Sequence, residues 1–91
     1  MEIILLDGRR MTSRPEAHTY LAEALRLPDY YGRNLDALAD CLSELGPEIT
    51  IILSEADALR RQIPGYGDRL IDVFEEVSAG SNRFTFLLGK E

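Results

Sequence analysis

Residues 49–53, Ile-Thr-Ile-Ile-Leu, form an uncharged apolar run near the middle of the chain. Two similar runs lie at residues 3–6, Ile-Ile-Leu-Leu, and at residues 84–88, Phe-Thr-Phe-Leu-Leu. All three are rich in β-branched or aromatic residues. Continuous apolar runs of this kind are typical of strands that helices cover on at least one face, as in parallel sheets. We therefore predict three strands at these positions.

Helical patterns occupy both intervals between the runs. Residues 13–16, Ser-Arg-Pro-Glu, form a capping box, which predicts a first helix that runs to about Arg26. Asn34 is a good N-cap for a second helix at residues 34–45. That helix carries leucines at helical spacing, namely Leu35, Leu38, Leu42 and Leu45. We predict a third, short helix from Ser54 and a fourth at about residues 68–79.

The order β-α-α-β-α-α-β predicts an α/β fold, a small parallel three-stranded sheet with helical crossovers. A length of 91 residues fits one domain, so residues 1–91 are predicted to form a single domain. Hydrophobic residues make up 45% of the chain and charged residues 29%, which is ordinary globular composition.

The charge balance argues against a nucleic-acid binder. The formal net charge is −6, whereas proteins that bind phosphate backbones normally carry a basic surface. An acidic surface favours basic partners, although the same charge can simply keep a small domain soluble. No segment approaches the length of a membrane span, so no membrane partner is expected. A single cysteine and an N-terminal apolar run too short for a signal peptide predict a cytoplasmic location.

The second helix carries charge of one sign on its polar side. Four polar residues share that side, namely Asp36, Asp40, Ser43 and Glu44. Residues 34–59 contain six acids and no Lys or Arg, so nearby bases do not relieve the repulsion. A cationic partner would relieve it; the alternative is an ordinary solvated helix face. Tyr30 and Tyr31 precede the helix and suit an interface, although we expect at least one to pack on the core.

Residues 27–42, Leu-Pro-Asp-Tyr-Tyr-Gly-Arg-Asn-Leu-Asp-Ala-Leu-Ala-Asp-Cys-Leu, resemble the signature of the barstar family, inhibitors of the ribonuclease barnase. The likeness extends to residues 3–8, 73–76 and 84–88 and so covers nearly the whole chain. The resemblance implies a stoichiometric inhibitor of the antitoxin or immunity type. It would occlude the active site of a basic, barnase-like ribonuclease with the acidic helix and the preceding tyrosine loop, residues 29–33.

The resemblance also implies roles for individual residues. Asp40 matches the carboxylate that replaces a substrate phosphate among the enzyme's arginines, and Asp36 matches a second acid at that contact. Tyr30 matches a ring that packs over the region of the catalytic histidine, and Glu76 matches an outlying acid. The predicted contact residues are Tyr30, Tyr31, Asn34, Leu35, Asp36, Ala39, Asp40, Ser43, Glu44 and Glu76.

Ala39 departs from the family pattern, because the archetype carries tryptophan there and this chain contains none. The resemblance therefore does not identify the target ribonuclease. The alternative function is an acidic binding module for a basic partner that is not a nuclease. The resemblance also leaves open whether the bond before Pro47 is cis, as a proline of the family is.

Histidine and cysteine do not form a recognisable catalytic pattern. His18 lies away from any ligand-spaced cluster, and we expect it to face solvent or the edge of the core. Cys41 has no basic neighbour that would lower its pKa, and Asp40 should raise it. We therefore predict that the protein has no catalytic residue, metal or cofactor and is not an enzyme. We also expect it to be monomeric when free.

Overall fold

The computed structural model describes residues 1–89 and confirms the predicted α/β order. In chain order, the strands and helices are β1 (Glu2–Asp7), α1 (Arg14–Ala24), α2 (Leu35–Leu42), β2 (Ile49–Ser54), α3 (Ala56–Gln62), α4 (Tyr66–Ser78) and β3 (Thr85–Leu88). A short 3₁₀ turn, Gly8–Arg10, follows β1. Positions 90–91 of the predicted single domain lie outside the described residues. Within the described part, no helix is long and apolar enough to span a bilayer.

The three strands form one parallel sheet, as predicted, and β2 lies in its centre. Ile51 on β2 is paired with Ile4 on β1 and with Phe86 on β3. Because side chains alternate along a strand, each strand has an inner and an outer set. Ile51 is buried among the helices, whereas Leu5 and Leu87 are exposed on the other face. The helices therefore cover one face of the sheet.

The core lies between that face and helices α1, α2 and α4. Leu21 of α1, Leu38 of α2 and Leu70 of α4 are completely buried there with Ile51. Burying a side chain of this size contributes about 1.5–3 kcal/mol relative to its exposure. Helix α2 packs against α4, so the core fixes the orientation of the helix that carries the acidic residues.

Helix α1 begins as predicted and ends earlier. Ser13 caps it by accepting a hydrogen bond from the Glu16 amide at 3.3 Å. The helix ends at Ala24 and not near Arg26, because Arg26 adopts a left-handed φ of 53°. The Leu27 amide then donates a hydrogen bond to the Ala22 carbonyl, which closes the end of the helix.

Helix α2 is shorter than the predicted range 34–45, because its last turn tightens after Leu42. The Glu44 amide donates to the Cys41 carbonyl at 3.2 Å, and the Leu45 amide donates to the Leu42 carbonyl at 3.0 Å. These bonds span three residues where an α-helix spans four. Glu44 therefore lies in a turn beyond the helix. The peptide bond before Pro47 is trans, since no described bond is cis.

The predicted start of α3 at Ser54 is wrong, because the helix begins at Ala56. Ser54 belongs to β2, where its hydroxyl donates to the Leu6 carbonyl at 3.2 Å, and Glu55 is the N-cap instead. Pairing with β1 thus outweighs the capping preference of serine. Helix α4 begins at Tyr66, two residues before the predicted start.

Candidate functional site

Asn34 joins the tyrosine loop to helix α2. Its side-chain oxygen accepts from the Ala37 amide at 2.8 Å, which confirms the predicted N-cap. Its side-chain nitrogen donates to the Gly32 carbonyl at 3.1 Å. One side chain therefore orients both the first turn of the helix and the loop before it.

The acidic face consists of Asp36, Asp40 and Glu44. All three side chains are exposed, and within residues 1–89 none forms an ion pair. Asp36 and Asp40 lie one turn apart on α2, and Glu44 follows in the next turn. Asp36 and Asp40 therefore share one side of α2, and Glu44 lies just beyond its end, so carboxylates of one sign follow each other without an ion pair to offset their repulsion.

Three smaller candidate residues lie beside the acidic face. Leu35 and Ala39 are half-buried on α2, and Leu35 packs against the core. Ser43 is also half-buried, and its hydroxyl donates to the Asp40 carbonyl at 2.7 Å. The surface around the carboxylates is therefore partly apolar and rests directly on the core.

The two loop tyrosines have opposite environments. Tyr30 is 88% exposed, whereas Tyr31 is 7% exposed and belongs to the core, as we predicted for at least one of them. The Tyr31 hydroxyl lies 2.6 Å from Nδ1 of His18. The Tyr66 hydroxyl lies 2.7 Å from Nε2 of the same ring. Tyr31, His18 and Tyr66 form the histidine cluster, which connects the loop, α1 and the start of α4.

The prediction that His18 faces solvent or the core edge is wrong, because the side chain is only 2% exposed. Burial is tolerated because each ring nitrogen has a hydroxyl partner. Its spacing from Leu21 and Leu25 on the inner side of α1 was the available signal. Its tyrosine partners could not be foreseen, since they lie 13 and 48 residues away in sequence.

His18 and Tyr31 of the histidine cluster are both uncharged near pH 7. Burial, aided by the positive charge of Arg33, lowers the pKa of His18 below 6.5. Burial raises the pKa of Tyr31 well above its usual value of 10. A neutral imidazole has one donor and one acceptor nitrogen, so one tyrosine accepts a hydrogen bond from His18 and the other donates one.

Glu76 is separated from the acidic face by its position on another helix. It is exposed on α4, the helix that packs against α2. No hydrogen bond or ion pair between described residues joins it to Asp36 or Asp40. It is available to a partner only if that partner extends from α2 across to α4.

Cys41 has the environment of a structural thiol. It is half-buried on α2, and burial together with Glu44 and Asp40 raises its pKa. A raised pKa favours the protonated thiol, and the contribution of Asp40 is the one that the sequence predicted. No three His, Cys, Asp or Glu side chains among residues 1–89 are grouped to hold a metal ion.

An open groove of about 770 Å³ adjoins the acidic face. It is lined by residues from the start of α1, the loop, the start of α2 and the start of α4, namely Arg14, Pro15, His18, Arg33, Asn34, Leu35, Asp36 and Tyr66. Asn34, Leu35 and Asp36 were predicted from the sequence as contact residues, whereas the arginines were not, because isolated basic residues in an acidic chain form no pattern.

Comparison with known proteins gives two findings. Residues 1–89 match the family model described as Barstar (barnase inhibitor). A protein of Bacillus subtilis (strain 168) named "Putative ribonuclease inhibitor YrdF" is 36% identical to the chain over 77 residues. That alignment covers 84% of this chain and 85% of the relative. The family match includes the tyrosine loop, the acidic face and Glu76.

Proposed function

The chain belongs to the barstar family, and from this premise we propose that it inhibits a basic, barnase-like ribonuclease by occluding its active site. The family and the named relative support a ribonuclease inhibitor and not an enzyme. We further propose that it acts in the cytoplasm as an antitoxin or immunity protein and is monomeric when free. The observation that carries the proposal is the unpaired acidic face beside exposed Tyr30.

Carboxylates are suitable substitutes for RNA phosphates. Asp40 and Asp36 present acceptor oxygens that arginines of a phosphate-binding cleft can bind through charge-assisted hydrogen bonds. The same negative surface attracts a basic enzyme before contact, so association should slow as salt rises. Since the carboxylates make no ion pairs within residues 1–89, they can bind the enzyme without breaking internal contacts.

The environments of the loop tyrosines suggest different roles for them. The exposed Tyr30 ring can pack against the enzyme as an aromatic anchor. Tyr31 cannot offer its ring in this conformation, so we assign it the task of holding the loop through His18. Leu35, Ala39 and Ser43 complete the contact surface, with Glu44 and Glu76 at its edge.

The inhibitor mechanism is tested by Asp40→Ala in an RNA-cleavage assay with a panel of barnase-type ribonucleases. Loss of a desolvated interface charge should weaken the complex by about 2 kcal/mol or more, a magnitude taken from interface charge pairs in general, the family's archetype among them. This corresponds to a rise in Kd of about 30-fold. Asp72→Ala is the matched control, because Asp72 is an exposed acid on α4 outside the contact surface. Equal inhibition by wild type and Asp40→Ala would contradict the mechanism.

A second function is favoured by one feature, the small side chain at position 39. Ala39 has no aromatic ring, whereas the archetype has tryptophan at this position. The same face could therefore bind a basic protein that is not a nuclease. This candidate is supported if no ribonuclease in the panel is inhibited and a captured basic protein without RNase activity loses binding on Asp40→Ala.

A further inference from the structure

The groove beside the acidic face carries positive charge in an otherwise acidic region. Arg14, from the first turn of α1, and Arg33, from the loop, both line it. Asp36 lines it too and marks where the groove meets the acidic face. One continuous surface therefore changes sign over a short distance, from the carboxylates of α2 to two guanidinium groups.

Both arginines are held in place by internal contacts. The Arg14 guanidinium carbon lies 4.3 Å above the centre of the Tyr66 ring, a cation–π arrangement. Arg33 donates from Nη1 to the Thr19 hydroxyl at 2.7 Å. Groups ordered before binding lose less side-chain entropy when a partner arrives, so more of the contact energy appears as affinity.

Neither Arg14 nor Arg33 is neutralised by an internal ion pair. Across residues 1–89, three arginines pair with acids, in the bridges Arg9–Asp7, Arg26–Glu2, Arg60–Asp57 and Arg60–Asp68. No described carboxylate forms such a bridge with Arg14 or Arg33, in a chain that has 16 acids for 10 bases. The two groove arginines therefore keep their capacity to bind an external anion.

The groove also has a neutral floor. His18 and Tyr66 line it, and their rings are buried and hydrogen-bonded to each other. Because burial and the nearby Arg33 keep the imidazole uncharged, the floor adds no third positive charge. A charge bound against buried rings is screened less by water than one on an open helix face.

From these observations we propose that the groove binds a carboxylate side chain on the rim of the target ribonuclease's active-site cleft. The inference rests on the proposed function and deepens it. The inhibitor then contacts two regions of opposite charge on its target. Asp36 and Asp40 bind the cationic cleft, and Arg14 and Arg33 bind the acidic rim. Only a ribonuclease that has the cationic cleft and the acidic rim in this relative position can bind both the acidic face and the groove of the inhibitor.

A protein carboxylate suits the groove better than a nucleic-acid phosphate. The acidic face adjoins the groove and would repel a polyanion that extends beyond it. A basic protein with a single acidic side chain avoids this repulsion, because the basic side chains next to that acid face Asp36 and Asp40. The groove, at about 770 Å³, has room for a segment of backbone as well as the carboxylate.

The test uses Arg14→Gln, Arg33→Gln and the double variant, with Kd and both rate constants measured against the ribonuclease that the wild-type chain inhibits. Arg61→Gln is the matched control, because Arg61 is an exposed arginine on α3 outside the groove. Each single variant loses one positive charge and the double variant loses two, so general attraction to a basic enzyme predicts equal or faster association for all of them. A local carboxylate predicts instead that the double variant has a Kd raised about 5- to 30-fold, mainly through faster dissociation, while the control does not weaken.

Loss of the stacking on Tyr66 could alter folding, so a second experiment uses charge reversal. Arg14→Glu and Arg33→Glu should each regain affinity when one acid on the cleft rim of the enzyme is changed to Lys. The inference is overturned if the double glutamine variant binds as tightly as wild type, or if no rim acid restores a reversed variant. It is also overturned if the variants lose affinity for a short RNA and keep it for the enzyme.

The outcomes separate the two proposals. If Asp40→Ala abolishes inhibition while the arginine variants bind normally, the inhibitor mechanism stands and the carboxylate groove fails. If Asp40→Ala has no effect, the proposed function itself fails, whatever the arginine variants do.

Discussion

The histidine cluster includes Tyr31 of the tyrosine loop and the acidic face follows that loop along the chain, yet the two regions differ in how their polar groups are satisfied. Asp36, Asp40 and Glu44 are exposed, share one sign and form no ion pairs among the described residues. His18 is buried and neutral, with both ring nitrogens bonded to tyrosine hydroxyls. The polar groups of the buried cluster are hydrogen-bonded within the fold, whereas the carboxylates of the acidic face are left to solvent. The cluster connects the loop to α1 and to the start of α4, so we expect it to hold the segment that leads into the acidic face.

The largest effect on this comparison should come from His18→Ala. Removal of the imidazole leaves two buried tyrosine hydroxyls without their partner and opens a cavity, so the free energy of unfolding should fall by about 3 kcal/mol. Urea denaturation measures this change. Tyr31→Phe, which removes one hydrogen bond, should cost about 1 kcal/mol, and Tyr30→Phe, at the exposed neighbour, should cost almost nothing. Unchanged stability of His18→Ala would show that the cluster does not support the loop.

A change of pH should weaken the histidine cluster in a predictable direction. The pKa of His18 is lower in the folded chain than in the unfolded chain, so the unfolded state binds more protons below pH 6.5. The stabilisation is complete above pH 6.5 and is lost as the pH falls through the lower folded pKa. The slope cannot exceed about 1.4 kcal/mol per pH unit for one proton.

This dependence can be assigned by comparing unfolding of wild type and His18→Gln at pH 7.0 and pH 5.5. That interval lies above the titration range of ordinary carboxyl groups. The loss of stability between the two pH values should be smaller in the variant, since glutamine does not titrate. An equal loss in both chains would assign the effect to another group.

The smallest effect should come from neutralising one member of the acidic face. Asp36 and Asp40 repel each other across one turn of α2, and Asp40 also lies in the C-terminal half of the helix, where its dipole disfavours anions. Asp40→Asn should therefore raise the free energy of unfolding by a few tenths of a kcal/mol at low salt, and the gain should shrink at 0.5 M salt. A loss of stability would mean that Asp40 has a structural role.

Features that depend on neighbouring residues were predictable. The strand positions, the parallel sheet, the Ser13 and Asn34 caps and the common side of Asp36 and Asp40 follow from spacing and capping chemistry. The ends of helices were less predictable. Helix α2 stops at Leu42 because of backbone bonds in the following turn, and Ser54 joins a strand because β1 lies beside it.

Features that depend on distant residues came only from the tertiary structure. The sequence by itself determined the order of elements, the acidic helix and the family, because these are patterns of adjacent or periodically spaced residues. It could not show that His18 meets Tyr66 across 48 residues, or that Arg14 and Arg33 line one groove with Asp36. Those contacts depend on how α1, α2 and α4 pack on the sheet. Packing brings together side chains that have no fixed spacing along the chain, and this decided which tyrosine is buried and which arginines adjoin the acidic face.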